Sequence, residues 1–200
     1  NKDGILLFGL NGVGKSSFMK AIGLNVIMAQ IGYFVAADSF EYYPFNNIFT
    51  RISGDDDIFK GKSSFIVEMS ELRSILKYSD KNSLVLGDEV CKGTEDISAL
   101  SIITSAVQRF SNKNVKFIFA THMHKLSLMD EITGLSNIKL CHLDVDCDDN
   151  KITYSRKLKD GAGKSIYGLE VAKYVLDDSK FINNAFEIRH SIMNKEMDMN

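Results

Sequence analysis

The chain of 200 residues predicts an α/β fold in which a mostly parallel sheet is sandwiched between helices. Two observations carry that reading. Short runs that are apolar on both faces (Gly4 to Phe8, Ser83 to Gly87, Val115 to Ala120) alternate with longer segments of helical spacing, as strands buried between helix layers require. A glycine-rich loop then joins the first run to the first helix, the order that a strand, a tight loop and a buried helix need.

Each element has its own signal. Ser16 to Ile31 is apolar almost all round and reads as a helix that must be covered on both sides. Ser64 to Lys77 places Phe65, Met69, Leu72 and Leu76 at roughly helical spacing, and Ile97 to Phe110 does the same. Ile138 to Val145 and Lys151 to Leu158 flank the Asp- and Asn-rich stretch from Asp146 to Asn150, the pattern of an antiparallel hairpin at the sheet edge. Beyond Gly161, Tyr167 to Leu176 and Lys180 to Met193 read as two helices. Asp178 or Ser179 is placed to cap the second.

Composition narrows the function classes. Lys and Arg number 24 against 26 Asp and Glu, net −2, so no strong field favours nucleic acid or an anionic membrane. The most apolar long stretch, Ile22 to Ala37, contains Asn25 and Gln30 and is too short and polar to span a bilayer. Three cysteines, an odd number, argue against a disulfide framework and for a reducing, intracellular compartment. The single proline, Pro44, and the lack of repeats leave no linker signal, so one continuous fold is expected. Because Asn1-Lys2-Asp3 runs straight into an apolar strand, the chain reads as a piece of a longer one.

Gly9-Leu10-Asn11-Gly12-Val13-Gly14-Lys15-Ser16 satisfies G-x-x-x-x-G-K-[ST] between a strand and a helix. Phosphate oxygens need several N–H donors converging on one point, and glycine permits the backbone shapes that achieve it. The helix start adds partial positive charge, Lys15 reaches the terminal phosphates, and the Ser16 hydroxyl suits Mg²⁺. The expected nucleotide-contacting stretch runs from Gly9 through Ser16 to Ser17. Ser83-Leu84-Val85-Leu86-Gly87-Asp88-Glu89 ends an apolar strand in two carboxylates, costly there without a metal or proton partner. A phosphate-bound Mg²⁺ gives Asp88 that partner, and Glu89, aimed differently, becomes the candidate base for the attacking water. His122 ends the third strand at the same edge, since parallel strands present their carboxyl ends together. His124 has no such argument.

These residues resemble the ATPase domain of MutS-type mismatch-repair proteins, P-loop NTPases of the ABC type, essentially end to end. The resemblance rests on the phosphate loop and on Gly32-Tyr33-Phe34-Val35-Ala36-Ala37. It extends through Ile48-Phe49-Thr50-Arg51-Ile52-Ser53 with Asp55-Asp56-Asp57, and through Ser63-Ser64-Phe65-Ile66-Val67-Glu68-Met69. Ser83 to Glu89, Phe119-Ala120-Thr121-His122 and Asp160-Gly161 through Ser165-Ile166-Tyr167-Gly168 to Val171-Ala172 complete it. It implies Mg²⁺-ATP as cofactor and hydrolysis to ADP and phosphate. It implies a homodimer, or a MutS-like heterodimer, with two composite sites in which Ser63 meets nucleotide bound by the partner and Asn11 senses the partner's phosphate. By local sequence alone, Ser63 is equally a plain N-cap.

The resemblance divides the chain into a nucleotide-binding core, 1–160, and a helix-turn-helix dimerisation element, 161–200; by pattern alone the latter is a capping helical pair. DNA would be gripped by domains N-terminal to this sequence. A family position that stacks on adenine falls near Arg156. The family usually carries Pro at Leu10, Met at Gly12, Gly at Val13 and Arg at Lys92, and G-R-G-T survives only as Gly93-Thr94.

Other clusters read as structural. Cys141 and Cys147 with His142 match zinc spacing only loosely, Asp55 to Asp57 suits a solvated loop, and Met193, Met197 and Met199 suit an interface or a frayed tail. Two rival functions stand beside the ATPase: a nucleotide-gated dimerisation module with little turnover alone, and a chromosome-maintenance or transporter ABC ATPase. The last expects L-S-G-G-Q, which the sequence lacks.

Overall fold

The computed structural model describes residues 2–9, 12–51, 64–148, 151–164 and 168–198. Strands β1 (Gly4–Phe8), β2 (Asn47–Arg51), β3 (Ser83–Asp88), β4 (Lys116–Thr121), β5 (Ile138–Asp148) and β6 (Lys151–Asp160) form a six-stranded sheet in the order β2-β3-β4-β1-β5-β6. Every neighbouring pair is parallel except β5 and β6. The α/β architecture and the antiparallel edge hairpin expected from the sequence are both present.

The two-residue period of the strands splits the core into two layers. Leu6, Phe8, Val85, Phe117 and Phe119 face one side, where α2 (Ser64–Tyr78) contributes Leu72 and Ile75 and α3 (Asp96–Asn112) contributes Ile103, Val107 and Phe110. Leu7, Leu84, Leu86, Ile118 and Ala120 face the other, under Met19 and Val26 of α1 (Lys15–Gln30). Phe110, Phe117 and Phe119 form a triangle with ring centroids 5.2 to 5.7 Å apart, each contact adding about 0.5–1.5 kcal/mol beyond buried area.

The structure corrects one expectation: among the described residues α1 is not fully covered on both sides. Its sheet-facing residues are buried, yet Leu24 is 59% and Ile31 68% exposed. Its outer side is only partly roofed, because Asn25 Oδ1 accepts the Ala36 N–H at 2.7 Å and Gln30 exchanges two hydrogen bonds with the Phe45 backbone. The two polar residues that interrupt the apolar stretch thus fasten the following segment to the helix.

β2 is an addition that the pattern did not reveal. Only Ile48 and Phe49 are apolar in Asn47–Arg51, too few for a legible run, and pairing with β3 is what makes it a strand. A short 3-10 turn (His124–Leu128) and α4 (Asp130–Thr133) follow β4, also unannounced by the sequence. α5 (Gly168–Leu176) and α6 (Ser179–Asp198) form the C-terminal pair, and Asp178 Oδ1 caps the second by accepting the Lys180 and Phe181 N–H groups at 3.1 and 3.0 Å.

Candidate functional site

Strand register gathers the chemistry at the carboxyl edge of the sheet. Phe8 of β1 pairs with Thr121 of β4, and Asp88 of β3 pairs with Ala120. Gly9 and His122 therefore leave the sheet side by side, and Glu89 leaves one step away, its N–H donating to the Ala120 carbonyl at 2.9 Å.

The loop after β1 has the backbone that its glycines permit. Gly12 and Gly14 adopt φ of 85° and 105°, with open space where a Cβ would stand, so conformation rather than crowding selects glycine. Val13 between them is 1% exposed and packs in the layer of Leu7 and Met19, anchoring the loop to the core. α1 then begins at Gly14 without a side-chain cap or an acid in its first turn, and the partial positive charge of a helix start suits an anion. Ser16 is half-buried and Ser17 exposed on this turn. Leu10, Asn11 and Ser63 lie outside the described residues, as do Asp55 to Asp57 and Ser165 to Tyr167.

Lys15 is 4% exposed and its Nζ donates to the Gly9 carbonyl at 2.6 Å. Burial lowers its pKa from the ordinary lysine value, and the charges of Glu89 and Asp88 oppose that shift. Asp88 is buried, and its Oδ1 makes no hydrogen bond among the described residues. A buried carboxylate oxygen without a partner is costly, and a hard divalent cation is the partner its chemistry fits. Glu89 stands 3.0 Å from Lys92 Nζ and 3.7 Å from His122 Nδ1. Burial alone would raise the Glu89 pKa; Lys92 above all, then Lys15 and His122, overcome it and hold the group below the ordinary carboxylate range.

The neighbouring groups divide into packing and surface. His124 lies against Phe8, ring centroids 5.5 Å apart, and burial above all, with the electrostatic influence of its neighbours, lowers its pKa. Arg156 has φ of 55° where the β5–β6 register shifts between Leu143 and Val145, a bulge that re-aims its side chain. His142 Nδ1 lies 2.9 Å from the Gly161 carbonyl, and with Gly9, Ala162, Gly163 and Lys164 it borders a cavity of about 10 Å³ beside the phosphate loop.

Three residues that the sequence offered only as members of longer motifs take a place beside the site. Lys92 pairs with Glu89. Gly93 lets α2 approach, since a Cβ there would stand 3.1 Å from Phe65 Cβ. Glu68 of α2 is 4% exposed and accepts the Cys91 N–H at 2.6 Å. The signal for Glu68 was available: it falls on the apolar stripe of its helix, between Phe65 and Leu72.

Comparison with known proteins agrees with this architecture. Residues 5–193 match MutS domain V. A mutS homologue from Acanthamoeba polyphaga mimivirus is 46% identical over 197 residues, 96% of this chain and 18% of that protein. A mitochondrial DNA mismatch repair mutS homologue of Sarcophyton glaucum is 44% identical over 191 residues, 94% and 19% of the two chains. The DNA mismatch repair protein MutS of Clostridium perfringens is 40% identical over 199 residues, 96% and 22%. The chain spans about a fifth of the length of these curated relatives. With its phosphate loop and its acidic strand end both inside the matched residues, the chain belongs to the MutS domain V family.

Proposed function

We propose that this chain is the Mg²⁺-dependent ATP-binding and ATP-hydrolysing part of a MutS-like DNA mismatch-repair protein, coupling its nucleotide cycle to the state of a dimeric clamp on DNA. The observation that carries the reading is the register that brings Lys15, Asp88, Glu89 and His122 to one sheet edge beside an uncapped helix start. The family and the names of its relatives, which speak of mismatch repair, support the wider role.

In this reading the backbone N–H groups from Gly12 to Ser16 hold the phosphates, and Lys15 exchanges the Gly9 carbonyl for a terminal phosphate oxygen. Ser16 and Asp88 would hold Mg²⁺, the orphaned Asp88 oxygen being the specific support; when bound, the cation offsets charge on the phosphates. Glu89 accepts a proton from water as its oxygen attacks the γ-phosphorus and ADP leaves, while His122 steadies the terminal phosphate. Glu89 is ionised at neutral pH, as a carboxylate held at or below its ordinary value must be, so it has the lone pair that this role needs.

Residues 1–160 are the nucleotide-binding core and 161–200 the dimerisation element of this proposal. Tyr174, Val175, Leu176, Phe181, Ile188 and Ile192 are all more than half exposed on the terminal helices, which supports a partner there. The same exposure favours the second reading, a nucleotide-gated dimerisation unit with little turnover of its own. Among the described residues no helix is long and apolar enough to cross a membrane.

ATP binding and phosphate release, measured with Mg²⁺ and with excess EDTA, test the proposal. Mg²⁺-dependent release that Lys15→Met abolishes is the expected result. ATP-dependent dimerisation without release would favour the second reading, and a chain that binds ATP no better than Lys15→Met would overturn both.

A further inference from the structure

α2 and the turn after β3 meet at a polar contact deep in the fold. Glu68 is 4% exposed on a helix stripe otherwise made of Phe65, Met69, Leu72 and Leu76, where a leucine would suit the packing better. A carboxylate there costs several kcal/mol unless a donor meets it, and the donor is the Cys91 N–H at 2.6 Å, a charge-assisted bond.

The turn needs that bond. Glu89 and Cys91 have φ of 47° and 68°, left-handed shapes that cost non-glycine residues on the order of 1–2 kcal/mol each. Such a turn persists when its surroundings over-determine it. One end is tied to the sheet by Glu89 N–H and the Ala120 carbonyl; the other is tied to α2 by Cys91 N–H and Glu68. α2 also rides directly on the turn where Gly93 admits Phe65. One turn beyond Glu68 on the same helix, Glu71 forms an ion pair with Arg51 of β2, Oε2 2.9 Å from Nε.

We infer that Glu68 is a positioning residue: by holding the Cys91 N–H it fixes the turn that presents Glu89, so that displacement of α2 displaces the Glu89 carboxylate. This rests on the reading of Glu89 as the base.

The test compares Glu68→Leu, Glu68→Gln and Glu68→Asp in the full chain, with three readouts: ATP affinity, single-turnover hydrolysis, and peptide-resolved alkylation of Cys91. Glu68→Leu should slow hydrolysis at least about tenfold with ATP affinity within about twofold, the signature of lost positioning rather than lost binding. Cys91, now fully buried, should alkylate about tenfold faster as the turn opens. Glu68→Gln, whose amide oxygen still accepts the N–H, should restore both to within about threefold, and Glu68→Asp, too short to reach, should resemble the leucine variant. In a Glu89→Gln background Glu68→Leu should cost little more. Parental hydrolysis with slow Cys91 alkylation in Glu68→Leu overturns the inference, as does joint loss of affinity and rate, or full additivity with Glu89→Gln. A Glu89→Gln chain that hydrolyses at the parental rate removes the base reading instead, and Cys91 alkylation then still decides whether Glu68 holds the turn.

Discussion

His122 Nδ1 stands 3.7 Å from Glu89 Oε1, two residues 33 positions apart that the pairing of β3 with β4 sets side by side. The separation is too long for a hydrogen bond, so Lys92 at 3.0 Å is the closer partner of the carboxylate and the exposed imidazole faces the open edge. His122→Asn should therefore slow hydrolysis by about tenfold to a hundredfold while leaving ATP affinity nearly unchanged. Equal losses in both, read by single-turnover and equilibrium binding measurements, would take His122 out of the terminal-phosphate role.

Glu89→Gln keeps the shape and removes the proton acceptor, so hydrolysis should fall by about 10²–10⁴ with binding retained. The pH dependence follows from the depressed Glu89 pKa. A carboxylate whose folded value lies below the ordinary 4.5 adds stability that is complete above that pH and is lost as pH falls through the folded value. The stability difference between the parent chain and Glu89→Gln should be flat from neutral pH down to that point and shrink below it. A difference that shrinks while pH is still near neutral contradicts the assignment.

Gly93 bears on packing rather than chemistry. Gly93→Ala drives a methyl toward Phe65 Cβ and its backbone, none of which is the far end of a flexible side chain. Denaturant titration should show a loss of about 1–3 kcal/mol. An unchanged midpoint would mean that α2 shifts away from the turn freely.

Cys91 is fully buried, and burial, aided by the Glu68 charge, raises its thiol pKa to about 12. At pH 8 the thiolate fraction is then roughly 10⁻⁴, so maleimide or iodoacetamide should leave Cys91 unmodified in the folded chain and label it on denaturation. Rapid labelling under native conditions would show the turn to be open.

Asp178→Ala removes the acceptor for two N–H groups at the start of α6. The cost should be about 0.5–2 kcal/mol, felt as local fraying of the terminal helices. Amide exchange at Lys180 and Phe181 should accelerate well before exchange in β1 or β3 does. Uniform acceleration would mean that α6 opens only with the whole fold.

The sequence alone determined the elements whose signals are local. Strands between helix layers are apolar on both faces, so β1, β3 and β4 stood out, and the cap of α6 was narrowed to Asp178 or Ser179 because capping needs only a side-chain oxygen and two nearby N–H groups; the structure chose Asp178. The phosphate loop was legible for the same reason: its glycines, lysine and serine must be contiguous to surround one anion. Tertiary structure decided what depends on neighbours distant in the chain. β2 carries only two apolar residues and exists as a strand because β3 pairs with it, and among the described residues the outer side of α1 is only partly covered although its sequence is apolar all round. Glu68 meets the Cys91 N–H, and Gly93 meets Phe65, only when the packing of α2 brings two distant segments together, whereas Lys92 lies three residues from Glu89 on the same turn and depends on the shape of that turn.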